Sequence, residues 1–272
     1  MRAGLVQITA GDDPAANLPG TLDLVREAAA GGAEFVLTPE VTNIISTSRK
    51  HQNQVLHQEE DDPTLAALCA EAKALGIWLL VGSLALKTHD PDGRFANRSF
   101  MVSPRGDITA RYDKIHMFDV EIDEAESYRE SAGYRPGDRA VLTRTDFATV
   151  GMTICYDMRF AHLYRRLAQA GARILTVPAA FSPVTGKAHW ESLLRARAIE
   201  TGCFVFAPAQ CGQHGPTRAT HGHSLAVSPW GEVLANGGDA PGVTLVDFDL
   251  SDVDKSRRRV PSLTHDRDFE GP

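Results

Sequence analysis

Three residues with complementary chemistry each stand at the end of a short, strand-like segment: Glu40, Lys114 and Cys155. If those strands lie side by side, a carboxylate, an ammonium and a thiol meet at one ligand. A thiolate can attack an amide carbonyl, and a nearby carboxylate can carry the proton. An ammonium can stabilise the oxyanion that forms. This pattern predicts a nucleophilic hydrolase, although a Glu or a Lys at a strand end is, taken alone, most often a surface residue.

Cys155 has the most informative position of the three. The run Val150 to Ile154 precedes it, and a helix is expected from Met158 to Ala170. The thiol therefore lies at a strand-to-helix turn, where a helix N-terminus favours thiolate over thiol. The alternative interpretation is a small buried side chain, because free cysteines are among the most buried residues.

Strand-like and helical runs alternate along the whole chain, which predicts an α/β fold with mixed sheets in one domain over residues 1–272, with a C-terminal tail from about 250. Helices are expected at Pro14–Ala30, Pro63–Leu75, Met158–Ala170 and Lys187–Glu200. Strands are expected at 5–8, 35–37, 77–81, 97–102, 108–112, 150–154, 174–177 and 204–206. The strands 97–102 and 108–112 should form a hairpin, and a second hairpin is expected at 224–234.

Two long stretches lack periodicity, residues 41–62 and 116–138. Each follows a polar residue that ends a strand. Loops of this length in a compact domain often cover or line a site, and a variable surface loop is the equal alternative.

Composition narrows the function classes. The chain has 272 residues, 43% hydrophobic residues and a net charge of −7. It lacks the basic footprint of a nucleic-acid binder, and Arg257-Arg258-Arg259 is better explained as a solvated helix end. Four cysteines without C-x-x-C spacing indicate a reducing compartment. No signal peptide or membrane span is apparent, so we expect a cytoplasmic protein that does not act at a membrane.

Several segments, in order, resemble the signature motifs of the nitrilase, or carbon–nitrogen hydrolase, superfamily. They are Thr38-Pro39-Glu40, the segment 111–120, the segment 151–160, Pro178-Ala179-Ala180-Phe181, and the segments 185–191 and 194–200. The resemblance spans nearly the whole chain.

The resemblance implies an α-β-β-α sandwich of two mixed sheets and a Glu-Lys-Cys catalytic set without metal or cofactor. Cys155 would be the nucleophile, Glu40 the general base and Lys114 the cation on the oxyanion side. A second glutamate is usual before a Ser and a later Pro-Gly. Glu130 has the better spacing to Pro136-Gly137, and Glu126 is the alternative.

The resemblance also implies a homodimer or higher homo-oligomer, with dimers forming an eight-layer assembly. Trp190, Leu194 and Arg197 share one helical face, which suits either a subunit contact or core packing.

The expected substrate is a small linear amide, bound by Tyr156, Arg159, Ala180 and Phe181. The segments 209–214 and 222–224 look like the deaminated-glutathione amidase branch, but Ala161-His162 departs from its usual Pro-Glu. N-carbamoyl amino-acid amidohydrolase and nitrilase activities therefore remain alternatives.

Three further alternatives belong to other classes. One is a non-catalytic scaffold that retains the fold. Another is a Cys-His transferase that uses His116 or His189, although structural hydrogen bonding suits these histidines better. A zinc site at His221 and His223, with His214 and Cys211 near, has no recognised ligand spacing.

Overall fold

The computed structural model describes residues 1–122 and 127–271. The helices are α1 Pro14–Ala30, α2 Arg49–Val55, α3 Pro63–Leu75, α4 Ala161–Gln169, α5 Pro183–Thr201 and α6 Ser251–Arg259. The strands are β1 Arg2–Gln7, β2 Phe35–Leu37, β3 Trp78–Leu86, β4 Ala96–Val102, β5 Ile108–Asp113, β6 Asp119–Glu121, β7 Ser127–Arg129, β8 Val141–Arg144, β9 Thr149–Met152, β10 Ile174–Thr176, β11 Phe204–Ala207, β12 Cys211–Gln213, β13 Ala219–His221, β14 Leu225–Val227, β15 Val233–Asn236 and β16 Gly242–Asp247.

Two mixed six-stranded sheets form the centre of the fold. The first has the order β16-β1-β2-β3-β4-β5, and the second has the order β15-β14-β11-β10-β9-β8. Within each sheet the middle strands run parallel, β1-β2-β3 and β9-β10-β11, and antiparallel strands complete the edges. The carboxyl ends of the parallel strands therefore lie at common sheet edges, which is where side chains for a site can collect.

Alternation along β1 shows how the layers stack. Leu5 belongs to the core shared by the two sheets, whereas Val6 packs with Val25 of α1 and Leu68 of α3 on the opposite face. Side chains that alternate between two buried faces belong to a sheet covered on both sides. The apolar face of α5, represented by Leu194, packs with the second sheet. The order of layers is helices, sheet, sheet, helices.

Several predicted elements match the structure to the residue. Helices α1 and α3 begin where Asp13 and Asp62 cap the first turn, and each has a proline at its start. Gly76 ends α3 in a left-handed conformation with φ 65°. Both hairpins expected from their Pro-Gly turns are present as β4-β5 and β14-β15.

Other expectations need correction. The single helix expected from Met158 is a 3₁₀ turn, Cys155–Arg159, followed by α4. Helix α5 starts four residues early, because Ser182 caps it and Pro183 begins it. The expected tail from about 250 forms α6, where Val253 is buried and Asp254 pairs with Arg173, the residue before β10. The stretches 41–62 and 116–138 contain α2 and the β6-β7 pair.

Two glycines permit close approaches beside the site. A Cβ at Gly82 would lie 1.9 Å from the carbonyl oxygen of Thr38, and one at Gly137 would lie 2.3 Å from that of Asp113. The segments that lead into Glu40 and Lys114 thus pass directly against a neighbouring backbone. Only glycine fits at these two positions.

Trp190, Leu194 and Arg197 of α5 are buried within the chain, so core packing accounts for their shared face. Arg197 Nε also donates to the Met158 carbonyl at 2.7 Å. Within residues 1–122 and 127–271, no helix is both long and apolar enough to span a membrane.

Candidate active site

The strand ends that carry Glu40, Lys114 and Cys155 meet at one cavity of about 440 Å³, and all three side chains line it. Glu40 follows β2 by three residues, Lys114 comes directly after β5, and Cys155 follows β9 by three residues. Glu130, in a 3₁₀ turn after β7, lines the same cavity. The structure thus places all four predicted catalytic residues together.

Lys114 is the hub of the charged residues. Its ammonium, 2% exposed, donates to Glu40 Oε1 at 2.8 Å and to both Glu130 oxygens at 2.9 and 3.0 Å. Burial alone would lower the pKa of Lys114, but the charges of Glu130 and Glu40 raise that pKa well above its usual value. The lysine is therefore a fixed cation.

Glu40 is held as a carboxylate. Its Oε2 accepts a 2.8 Å hydrogen bond from the Ala180 N–H, and Oε1 accepts from Lys114 and from Asn97. Burial opposes ionisation, yet attraction to Lys114 and these hydrogen bonds leave the pKa of Glu40 below its usual value. A carboxylate that is both buried and ionised is ready to accept a proton.

Whereas Glu40 is held in its ionised form, the Cys155 thiol is held in its neutral form, which corrects the expectation of a thiolate. Burial, and then the charge of Glu40, raise the pKa of Cys155 well above that of a free thiol. Lys114 lowers this pKa in part. The helix that follows is only a 3₁₀ turn of five residues, so it supplies little dipole. At neutral pH the site pairs a neutral thiol with a carboxylate.

The backbone is strained at the candidate nucleophile and at the residue that follows the candidate base. Cys155 and Val41, which follows Glu40, both have φ of 46°, a conformation that side chains disfavour. Such strain costs about 1–3 kcal/mol per residue and persists only where the surroundings hold it. In this turn Cys155 is packed in the core and also lines the cavity.

Asp157 stabilises the turn that presents the thiol. Its buried carboxylate accepts from the backbone N–H of Ile154 at 2.9 Å and from the Tyr112 hydroxyl at 2.6 Å. Its other oxygen accepts from the N–H of His116 at 3.1 Å and faces His116 Nδ1 at 2.7 Å. Asp157 thereby ties the end of β5 to the Cys155 turn.

Glu130 is the better supported of the two candidate second glutamates. Besides Lys114, its carboxylate accepts from the Phe118 N–H at 2.6 Å and from Asn97 Nδ2 at 3.3 Å. Glu126 lies outside the described residues.

Asn97 is a site residue that the sequence analysis missed. Its Nδ2 donates to Glu40 and Glu130, and its buried Oδ1 lacks a hydrogen-bond partner among the described residues. Asn97 stands beside Arg98 and Ser99 in β4, so no local pattern singles it out, and only its burial in the structure (2% exposed) does so.

Three of the four predicted substrate-binding residues lie at the cavity, and the fourth does not. Tyr156, Ala180 and Phe181 line the cavity, whereas Arg159 is absent from the lining formed by residues 1–122 and 127–271. The Arg159 guanidinium instead lies 3.3 Å from His189 Nδ1 and 5.5 Å from the centre of the Phe181 ring. Two other arginines, Arg129 and Arg218, do line the cavity, and the sequence analysis missed Arg218 because no local pattern singles it out.

The histidines have structural contacts. His116 stacks on Phe160 with ring centres 3.5 Å apart and faces Asp157, while His221 and His223 lie 4.6 Å apart, ring to ring. In the described part of the chain, no group of three or more His, Cys, Asp or Glu side chains is arranged to hold a metal ion.

The outer wall of the cavity comes from the two stretches that lacked periodicity. It comprises Val41, Ile44, Ile45, Ser46, Thr47 and Gln52 from the first stretch, and Phe118, Ser127, Tyr128, Arg129 and Tyr134 from the second. Gln52 Nε2 donates to the Tyr134 hydroxyl at 3.2 Å and so links the two stretches. The expectation that both stretches line a site agrees with this arrangement.

A family model described as carbon-nitrogen hydrolase matches residues 2–258. Deaminated glutathione amidase of Yersinia enterocolitica is 37% identical over 264 residues, which cover 97% of this chain and 92% of that protein.

Among solved structures, the NitFhit protein of C. elegans matches with a TM-score of 0.92 and 33% identity, over 98% of this chain and 65% of that chain. An amidase of Nesterenkonia sp. AN1 matches with a TM-score of 0.78 and 25% identity, over 96% of this chain and 98% of that chain. A mutant of that amidase carries the product of Michael addition of acrylamide at its active-site cysteine.

Proposed function

The chain belongs to the carbon–nitrogen hydrolase family and is an amidase of that family, and from this premise we propose that it releases ammonia from a small linear amide that bears a carboxylate. Deaminated glutathione, or another ω-amide of a keto or amino acid, is the proposed substrate. The relatives named as deaminated glutathione amidases support this choice.

One observation carries the proposal: an ionised carboxylate and a fixed ammonium adjoin a neutral thiol in a single cavity. Each group has the protonation state that amide attack needs. The pKa of Glu40 is lowered, so it can accept a proton, and the pKa of Cys155 is raised, so it retains one to give.

Acylation begins when Cys155 Sγ attacks the amide carbon while Glu40 takes the thiol proton. The carbonyl oxygen becomes an oxyanion. When the tetrahedral adduct collapses, Glu40 returns that proton to the nitrogen, the C–N bond breaks and ammonia leaves. The product on the enzyme is a thioester at Cys155.

Deacylation reuses the same groups. Glu40 accepts a proton from water as the water oxygen attacks the thioester carbon. The C–S bond then breaks, the proton passes to the departing sulfur, and a carboxylic acid is released. Glu40 thus acts in both half-reactions and needs no second base.

The oxyanion requires donors that are in place before it forms. We assign this role to the ammonium of Lys114 and the backbone N–H of Tyr156, the second residue of the 3₁₀ turn, where helical N–H groups lack intrahelical acceptors. Glu130 pairs with Lys114 as Glu40 does, and the two contacts together fix the position of the ammonium.

The test is ammonia release from a panel of ω-amides of keto and amino acids, deaminated glutathione included, with N-carbamoyl amino acids and nitriles as comparison substrates. We expect amides to be turned over best and Cys155→Ala to abolish ammonia release in a folded protein. Cys69→Ala, which changes a half-buried thiol outside the cavity, is the matched control and should retain activity. Full activity in Cys155→Ala would refute the proposal.

A further inference from the structure

Arg218 reaches the cavity from the residue just before β13 and is held there at two points. Its NH2 donates to the Ala180 carbonyl at 2.8 Å, and its guanidinium lies 4.6 Å from the centre of the Tyr128 ring. A carbonyl hydrogen bond and an aromatic face both orient an arginine without neutralising its charge.

The third feature of this arginine is an unused donor. Arg218 NH1 is buried and has no hydrogen-bond partner among the described residues. A buried donor without a partner is costly, so such groups in proteins usually have a ligand, a water or a functional role. The second arginine of the cavity, Arg129, differs: it is 64% exposed and pairs with Glu121 at 2.6 Å.

The charges of the cavity show what this donor is suited to bind. Glu40 and Glu130 carry two negative charges against the single positive charge of Lys114, which both carboxylates already use. An anionic substrate would be repelled by this group unless a cation elsewhere in the cavity attracted it. Arg218 is a cation of the same cavity whose NH1 has hydrogen-bonding capacity to spare.

We propose that Arg218 anchors a carboxylate at the end of the substrate distal to the scissile amide, with NH1 as the donor. This inference rests on the proposed amidase function and adds the residue that selects its substrate. An arginine holds a planar carboxylate with defined geometry, so the anchor also sets an orientation.

The same contacts define a distance between the two ends of the substrate. Arg218 bonds to the carbonyl of Ala180, and the N–H of that residue bonds to Glu40. The anchor and the base are therefore fixed to the two sides of one residue. A substrate whose carboxylate and amide are separated by the matching number of carbons satisfies both, which predicts selection for chain length.

The test compares glutaramate, which has a terminal carboxylate, with pentanamide, which has a methyl group there. We expect Arg218→Met to lower kcat/KM for glutaramate by about 10- to 100-fold, the range for a lost hydrogen bond to a charged group, mainly through KM. Turnover of pentanamide should change by less than about threefold. Arg218→Lys keeps the positive charge but loses the planar guanidinium, so its kcat/KM for glutaramate should lie between those of the unmodified protein and Arg218→Met. Arg105→Met, which changes an exposed arginine outside the cavity, is the matched control and should cause a small and equal change on both substrates.

A second measurement does not require turnover. The glutarate dianion should protect Cys155 from iodoacetamide in the unmodified protein, and Arg218→Met should raise the protecting concentration by a similar factor. Equal losses on both amides, or no loss on either together with unchanged protection, would overturn the role of Arg218. Failure of the unmodified protein to release ammonia from any amide would instead refute the amidase proposal and leave the protection result to decide the anchor.

Discussion

In the floor of the cavity, formed by Glu40, Asn97, Lys114, Glu130 and Cys155, every charged group is paired. The outer wall, formed by the cavity-lining residues of the two stretches 41–62 and 116–138 apart from Glu130, carries apolar and neutral side chains except for Arg129, and Arg218 lies beside it. The floor residues follow or lie in strands of the two sheets, with Glu130 in a short turn. The wall residues come mainly from connections. The two regions thus differ both in charge pairing and in the elements that support them.

This difference separates reaction from selection. Sheet edges set the floor groups to within hydrogen-bond distances, which acid–base and nucleophilic chemistry requires. The wall has few such constraints, and substitutions there change the shape of the cavity without disturbing the buried charges. Variants of the floor should therefore affect kcat and stability, and variants of the wall should affect KM.

The largest effect is expected from Lys114→Met. The change leaves Glu40 and Glu130 buried without their cation, which costs about 3–5 kcal/mol of unfolding free energy. The loss of an oxyanion donor lowers kcat by a further factor of about 100–1000. Denaturant unfolding and ammonia release measure the two effects.

Lys187→Met, at an exposed position of α5, is the control and should change neither quantity. Unfolding at the same denaturant concentration as the unmodified protein would show that the paired charges of the floor do not stabilise it.

The next effect is a change in pH dependence from Glu40→Gln. In the unmodified protein the pKa of Glu40 is lowered, so activity should persist at pH values below the ordinary range of a glutamate pKa. Alkylation of Cys155 should increase only above the ordinary range of a thiol pKa, because burial and the charge of Glu40 raise the pKa of this thiol. Removing the negative charge of Glu40 lowers the thiol pKa, so Glu40→Gln should be alkylated faster at pH 7.

The same variant should release ammonia about 100-fold more slowly, because the proton carrier is gone. Faster alkylation with slower turnover is a combination that general disruption of the floor does not produce. Slower alkylation would mean that Glu40 activates the thiol by forming a thiolate pair rather than by accepting its proton during attack.

The sequence predicts the floor better than the wall for a physical reason. Glu40, Lys114 and Cys155 follow strand-like segments that become β2, β5 and β9, so their placement depends on local patterns and on strands meeting at sheet edges. The protonation state of the thiol depends instead on burial and on a carboxylate distant in sequence. No local pattern contains that information.

The residues and the strand that the sequence analysis missed also depend on partners distant in sequence. Asn97 is one of three consecutive polar residues in β4, and only burial separates it from its neighbour Arg98, whereas the direction of Arg218 depends on the β12-β13 connection. Strand β16 was missed because its partner β1 lies at the other end of the chain, and its pairing completes the first sheet. Elements defined by distant partners become visible only in three dimensions.

The smallest effect is expected from Tyr134→Phe in the wall. The Tyr134 hydroxyl accepts from Gln52 Nε2, which also donates to the Ser46 carbonyl at 3.3 Å, so the amide retains a partner after the change. The ring contact with Phe95, at 5.9 Å between centres, survives as well. The lost bond should reduce the unfolding free energy by about 1 kcal/mol.

Because this bond links the two stretches of the wall, its loss should raise KM severalfold and leave kcat unchanged in steady-state assays of ammonia release. A fall in kcat equal to the rise in KM would mean that the wall positions the reacting groups. Such a result would remove the distinction between floor and wall. The backbone N–H of Tyr134 donates to the Glu130 carbonyl at 2.8 Å in either case, and the charges of Glu130 and Glu40, after burial, help raise the pKa of the Tyr134 hydroxyl. Phenylalanine at this position keeps the shape of the ring and removes only the hydroxyl, so the kinetic split isolates that single contact.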